Sequence, residues 1–199
     1  MKRSGSNLNQ RIAARVRELR ASQGLSLDAL AGKSGVSRSM ISVVERGESS
    51  PTAVALEKLA GGLGVTLASL FDEPGTNAGG KGEPVARREH QPEWKDPGSG
   101  YIRRNVSPAD VRQPIQIVEV RFPPGARVAF ETGVRDARVY QQIWILGGSM
   151  EIVYGSERHR LREGDCLAMQ LDQPMIFHNP TRKPARYAVV NMVENTSRR

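Results

Sequence analysis

The stretch EPGTNAGGKGE, residues 73–83, divides the chain into parts whose apolar residues repeat with different periods. Glycine and proline dominate it and nothing in it is periodic, which predicts a flexible linker. Before it, apolar residues recur at helical spacing. After it come short alternating segments bounded by turn residues. The chain therefore reads as a helical domain over 8–72 and a β domain over 84–195. A flexible arm at 1–7 and a disordered tail at 196–199 complete this division. A length of 199 residues accommodates two small domains.

In the first part, Ile12, Val16 and Leu19 share one helical face and Gly24 stops the helix. Ser26 caps a second helix, with Leu30 and Ala31 inward. Ser37 caps a third, with Ile41 and Val44 inward. Ser50-Pro51 reads as a capping hydroxyl followed by proline at the first helical position. Leu56, Leu59, Ala60 and Leu63 then stripe a fourth helix. Leu67, Leu70 and Phe71 suggest a fifth, short one. Between the second and third helices, Ala31 is small enough for a close crossing, and Gly35 tolerates the positive φ of a tight turn.

The spacing within LDALAGKSGVSRSMISVVE, residues 27–45, is that of a helix-turn-helix. The segment resembles the Xre/Cro-type helix-turn-helix family, and the likeness covers nearly all of 8–71. The resemblance implies a five-helix domain that binds double-stranded operator DNA as a dimer. By the family's pattern, Arg38, Ser39 and Val43 match the positions that face base edges. Arginine can bond bidentately to guanine, and a valine can touch a thymine methyl. Ser42 and Arg46 are placed for phosphates, and the capping Ser37 is counted with this DNA-facing set. Arg20 and Glu45 match a pair that bridges the first and third helices. The family often has glutamine at the start of the second helix; here it is Leu27, a departure that falls on one phosphate contact. A net charge of +8, split evenly at +4 either side of residue 72, suits a polyanionic partner.

The second part offers IQIVEVRF, QQIWIL, SMEIVY, HRLREGDCLAM, MIFHN and ARYAVVNMV as strand segments. VYQQIWILGGSMEI, 139–152, reads as a hairpin through Gly147-Gly148. FPPGA at 122–126, WILGGSMEI at 144–152, LREGD at 161–165, and Pro174 followed by HNP at 178–180 resemble the cupin family. That implies an all-β, jelly-roll-like double-stranded β-helix barrel. Metal-binding cupins use two histidines, a glutamate and a later histidine. Here the glutamate position falls on Gln141 and the later histidine on Met175. The segment FETGVRDARV, 130–139, where the early pair would lie, contains no histidine. The reading is therefore a barrel with no metal, no cofactor and no catalytic residues. By alternation Gln141 and Ile143 point inward, facing Met175 and Phe177, and these four residues are the candidate ligand site. Gln142 and Trp144 fall on the outer face, as at a dimer interface.

A helix-turn-helix followed by a cupin resembles a class of bacterial transcription regulators. The expectation is a cytoplasmic, homodimeric, sequence-specific DNA-binding regulator with a small-molecule effector, and not an enzyme. Two alternatives stand beside it: a cupin enzyme fused to a DNA-binding module, and a barrel that only dimerises. No apolar run reaches membrane-spanning length, and the N-terminus lacks the apolar core of a secretion signal. The single cysteine, Cys166, excludes an intramolecular disulfide and reads as a small buried hydrophobe.

Overall fold

The computed structural model describes residues 3–72, 74–75, 83–109, 111, 114–131 and 138–194. Most of the Gly/Pro-rich linker, the tail at 196–199 and much of the 130–139 segment lie outside the described residues.

The helical domain comprises α1 (Arg3–Ser22), α2 (Leu27–Ser34), α3 (Arg38–Glu45) and α4 (Ala53–Gly62). α1 thus begins within the segment 1–7 that the sequence assigns to an arm. Ile12, Val16, Leu30, Ile41, Val44, Leu56, Leu59, Ala60 and Leu63 form one core, as their spacing predicts. Ser26 and Ser37 accept hydrogen bonds from the backbone N–H groups of Ala29 and Met40, the capping roles expected of them. Gly35 ends α2 at φ +67°, a conformation that other residues adopt only at a cost.

Two expectations fail here. The fifth segment, Leu67–Phe71, is a 3-10 turn, so the described helical domain has four α-helices. Five residues capped by Thr66 are too few to establish an α-helical ladder. The cap of α4 is Thr52, whose hydroxyl accepts from Ala55 N–H, and not Ser50. Pro51 precedes the helix and does not occupy its first position.

The β domain consists of two antiparallel sheets. Its strands are β1 (Glu93–Lys95), β2 (Ile102–Asn105), β3 (Ile115–Phe122), β4 (Arg127–Phe130), β5 (Arg138–Gly147), β6 (Ser149–Tyr154), β7 (Glu157–Arg162), β8 (Cys166–Gln170), β9 (Met175–His178) and β10 (Ala185–Glu194). A six-stranded sheet has the order β1-β2-β3-β10-β5-β8, and a four-stranded sheet the order β4-β9-β6-β7. β5 and β6 therefore do not form the hairpin that their sequence suggests. They belong to different sheets, and the Gly-Gly between them turns a corner. Gly148 sits there at φ +78°, with the carbonyl oxygen of Pro184 2.9 Å from where a Cβ would stand. Cys166 is exposed on the edge strand β8, contrary to the buried reading.

The helical domain is docked on the β domain, against β1–β3 of the six-stranded sheet and the end of β4 of the four-stranded one. Asp96 Oδ1 accepts from Ala53 N–H at 2.9 Å, and Asn105 Nδ2 donates to the Ala68 carbonyl at 3.2 Å. The Thr66 hydroxyl donates to Gln116 Oε1, and Gln116 Nε2 donates to Ser69 Oγ. Phe71 packs on Trp94 with ring centroids 5.7 Å apart. Lys58 and Glu131 form an ion pair at 2.7 Å. The hydrogen bond from Lys58 holds the Glu131 carboxyl below its ordinary pKa.

Candidate nucleic-acid interface and interdomain cavity

α3 is amphipathic along its length. Ile41, Val44 and Glu45 are buried, while Ser37, Arg38, Ser39 and Arg46 are exposed and Ser42 and Val43 half-buried. The structure thus brings all six sequence-predicted residues to the outward side of one helix and its cap. Met40 is also exposed on α3, and the sequence reading did not single it out.

The exposed cations of this face are held by local acids. Arg38 lies 3.3 Å from Asp28 on α2. Arg46 donates to both carboxylate oxygens of Glu48, which raises the arginine's pKa and lowers the glutamate's. Arg46 also donates to Ser42 Oγ. Such exposed pairs are weak, and a phosphate can displace them.

Behind the face, Arg20 donates from Nε and Nη2 to the two oxygens of Glu45, at 2.6 and 2.8 Å. This two-pronged bond ties α1 to α3, as expected, and raises the arginine's pKa. Arg20 Nη1 donates to the Leu25 carbonyl at 2.8 Å. The orientation of α3 is therefore set from behind its exposed face.

The second site is a cavity of about 50 Å³ where the two domains meet. The β domain contributes Tyr101, Arg103, Phe122, Phe130, Gln141, Met175, Phe177, Tyr187 and Asn191, among others. The helical domain contributes Glu57, Thr66 and Leu67. Of the four sequence-predicted residues, Gln141, Met175 and Phe177 line the cavity. Ile143 is buried on the same face of β5 but lies outside the lining.

Register explains the role of Gln141. Asn191 on β10 pairs with Gln116 on β3 and with Gln141 on β5, so three amides form a row across the inner face. Gln141 Nε2 donates to Asn191 Oδ1 at 2.8 Å, while Gln141 Oε1 is buried without a hydrogen-bond partner among the described residues. At the other end of the row, Gln116 bonds Thr66 and Ser69. Gln142 and Trp144 point outward, as alternation requires.

Sequence reasoning missed Arg103. It sits on β2 at 6% exposure, with its guanidinium carbon 5.6 Å from the ring centroid of Phe71. Burial pushes its pKa down, though a guanidinium remains charged. Burial likewise raises the pKa of Tyr101 and Tyr187.

The HTH_3 helix-turn-helix family model matches residues 16–70. The chain is 25% identical over 174 residues to the HTH-type transcriptional regulator SutR of Escherichia coli, which covers 87% of this chain and 89% of that protein. It is 38% identical over 63 residues to SinR of Bacillus subtilis, covering 31% of this chain and 57% of SinR. A crystal structure of an HTH_3 family transcriptional regulator from Vibrio cholerae superposes with a TM-score of 0.74. The two are 25% identical, with 94% of this chain and 97% of that one covered.

Proposed function

We propose that this DNA-binding transcriptional regulator, with its HTH_3-type helix-turn-helix domain, reads a two-fold symmetric operator as a homodimer and responds to a small molecule held by its β domain. The observation that carries the DNA reading is the outward face of α3, set between buried anchors and fixed from behind by the Arg20–Glu45 pair. Arg38, Ser39 and Val43 face bases in the major groove. Ser37, Ser42 and Arg46 face the backbone.

The homodimer reading is supported by the outer face of the six-stranded sheet. Tyr140 and Trp144 on β5, Met192 on β10, and Ile115 and Ile117 on β3 are all exposed there. In register Met192 lies between Tyr140 and Ile115, so the patch is continuous across three strands. A contiguous apolar face of this kind marks an interaction surface. A second copy of the same face satisfies it by two-fold symmetry, which also supplies two recognition helices.

The effector reading is supported by the cavity beside Gln141, in a β domain of cupin type. Contacts from both domains let a ligand prefer one docking arrangement and so shift DNA affinity by its differential binding energy. The β domain is in this reading a sensor and not an enzyme, and the protein acts in the cytoplasm. Likeness to SutR along most of the chain favours regulation over catalysis. No described helix is long and apolar enough to cross a membrane.

The test is fluorescence anisotropy with an operator fragment at several salt concentrations. Affinity should fall steeply with salt, as phosphate contacts require. Arg38→Ala should lose about 1–3 kcal/mol on the operator while retaining its fold. Undiminished operator affinity in that variant would remove α3 from the reading role.

A further inference from the structure

We propose that the cavity between the domains takes a small monocarboxylate, bound through the side-on N–H fork of Arg103. The proposal rests on the reading of this cavity as a ligand site and names the chemistry of the ligand.

Three observations point to a carboxylate. First, Arg103 Nε and Nη2 are buried and have no hydrogen-bond partner among the described residues. These two N–H groups form one edge of the guanidinium plane, and that edge matches the two oxygens of a carboxylate. Arg20 uses the same pair of atoms on Glu45, at 2.6 and 2.8 Å. Second, the Arg103 guanidinium carbon lies over the ring of Phe71, 5.6 Å from its centroid. A cation–π contact of this kind holds the guanidinium without using its N–H donors. Third, leaving those two buried N–H groups unbonded is costly, so the site favours a ligand that accepts from both.

The remaining polar groups narrow the class. Glu57 on α4 lines the same cavity and acts electrostatically on Arg103. A second negative charge on the ligand would meet that carboxylate, which selects a monocarboxylate over a dicarboxylate. Gln141 uses one end of its amide on Asn191 and keeps the other for a hydroxyl or amino group on the ligand. A cavity of about 50 Å³ holds roughly three to five waters at about 10–15 Å³ each, so the ligand is of that size.

The site also explains how occupancy would be sensed. Arg103 lies over the ring of Phe71 of the helical domain, and Thr66 both lines the cavity and bonds Gln116. A carboxylate on Arg103 therefore reorganises groups that dock the DNA-binding domain.

The experiment is a thermal-melt series on the full chain with glycolate, lactate, pyruvate, glycine and alanine. Lactamide serves as the uncharged control and malate as the dicarboxylate control. At a hundred times its dissociation constant, a monocarboxylate should raise Tm by about 5–10 °C. Lactamide and malate should not. Arg103→Met should abolish the response while lowering the unliganded melting temperature by no more than a few degrees, through loss of its interactions with Phe71 and Glu57. Shifts with lactamide that persist in Arg103→Met would overturn the carboxylate assignment and leave the ligand-site reading standing. No shift with any compound, in a protein that still binds DNA, would overturn both. Arg103→Met melting far below the parent without ligand would overturn the proposal by making Arg103 structural.

Discussion

Asp96 Oδ1 accepts the backbone N–H of Ala53 at 2.9 Å, so a loop of the β domain caps a helix of the DNA-binding domain. Asp96 is 2% exposed, and its other oxygen accepts from the backbone and hydroxyl of Ser99. A carboxylate at a helix N-terminus is doubly favoured, by hydrogen bonding to an otherwise orphan donor and by the helix dipole. Asp96→Ala should cost about 2–3 kcal/mol, as expected for losing charged hydrogen bonds in a buried place. Calorimetry should show one transition for the parent and two for the variant, as the domains uncouple. One unchanged transition would show that the cap does not hold the domains together.

Glu45 carries a second consequence. Its carboxylate faces Arg20 with little solvent around either group, at side-chain exposures of 7% and 18%. Glu45→Ala leaves Arg20 its hydrogen bond to the Leu25 carbonyl but removes the carboxylate that accepts from its other two nitrogens. The loss should be about 3 kcal/mol, toward the low end for breaking a buried pair because Arg20 keeps some solvent. Urea denaturation of the full chain measures it. DNA affinity should fall as well, since α3 loses its tie to α1. An unchanged midpoint would make the pair dispensable.

The outer sheet face predicts the assembly state. Multi-angle scattering should return twice the 21.8 kDa mass of one chain. Met192→Lys places a charge at the middle of the patch, where a two-fold interface would meet it in duplicate. The variant should sediment as a monomer and lose most of its operator affinity. A dimer of undiminished strength would move the interface elsewhere.

Much of this was legible in the sequence, for reasons that differ by element. Ile12, Val16, Ile41 and Val44 follow the helical period, and Gly35 stands at the turn between α2 and α3, where φ is positive. Gln141 was legible as an inward group because strand alternation fixes its parity once β5 is found. The corner at Gly147-Gly148 was not, since a hairpin and a sheet-to-sheet turn use the same glycines. β1 and β2 were missed because they are short and because β2 buries two adjacent arginines, Arg103 and Arg104, so no alternation of apolar and polar residues marks it. Domain docking was illegible for a further reason. Ala53 and Asp96 are 43 residues apart, on either side of the linker, and no local pattern joins them. Arg103 was lost with β2, although it is the residue on which the ligand chemistry turns.

The central claim is that α3 reads DNA sequence in a two-fold symmetric complex. The most direct measurement is selection of bound fragments by the full chain from a random double-stranded DNA library, followed by sequencing. The account predicts an enriched inverted repeat with half-site centres about 10–10.5 base pairs apart, or a multiple of that spacing. It also predicts that guanine positions in each half-site lose their preference when Arg38→Ala is used in place of the parent. A pool that remains unenriched, or an enriched site that the Arg38→Ala variant selects with the same preferences, would contradict it.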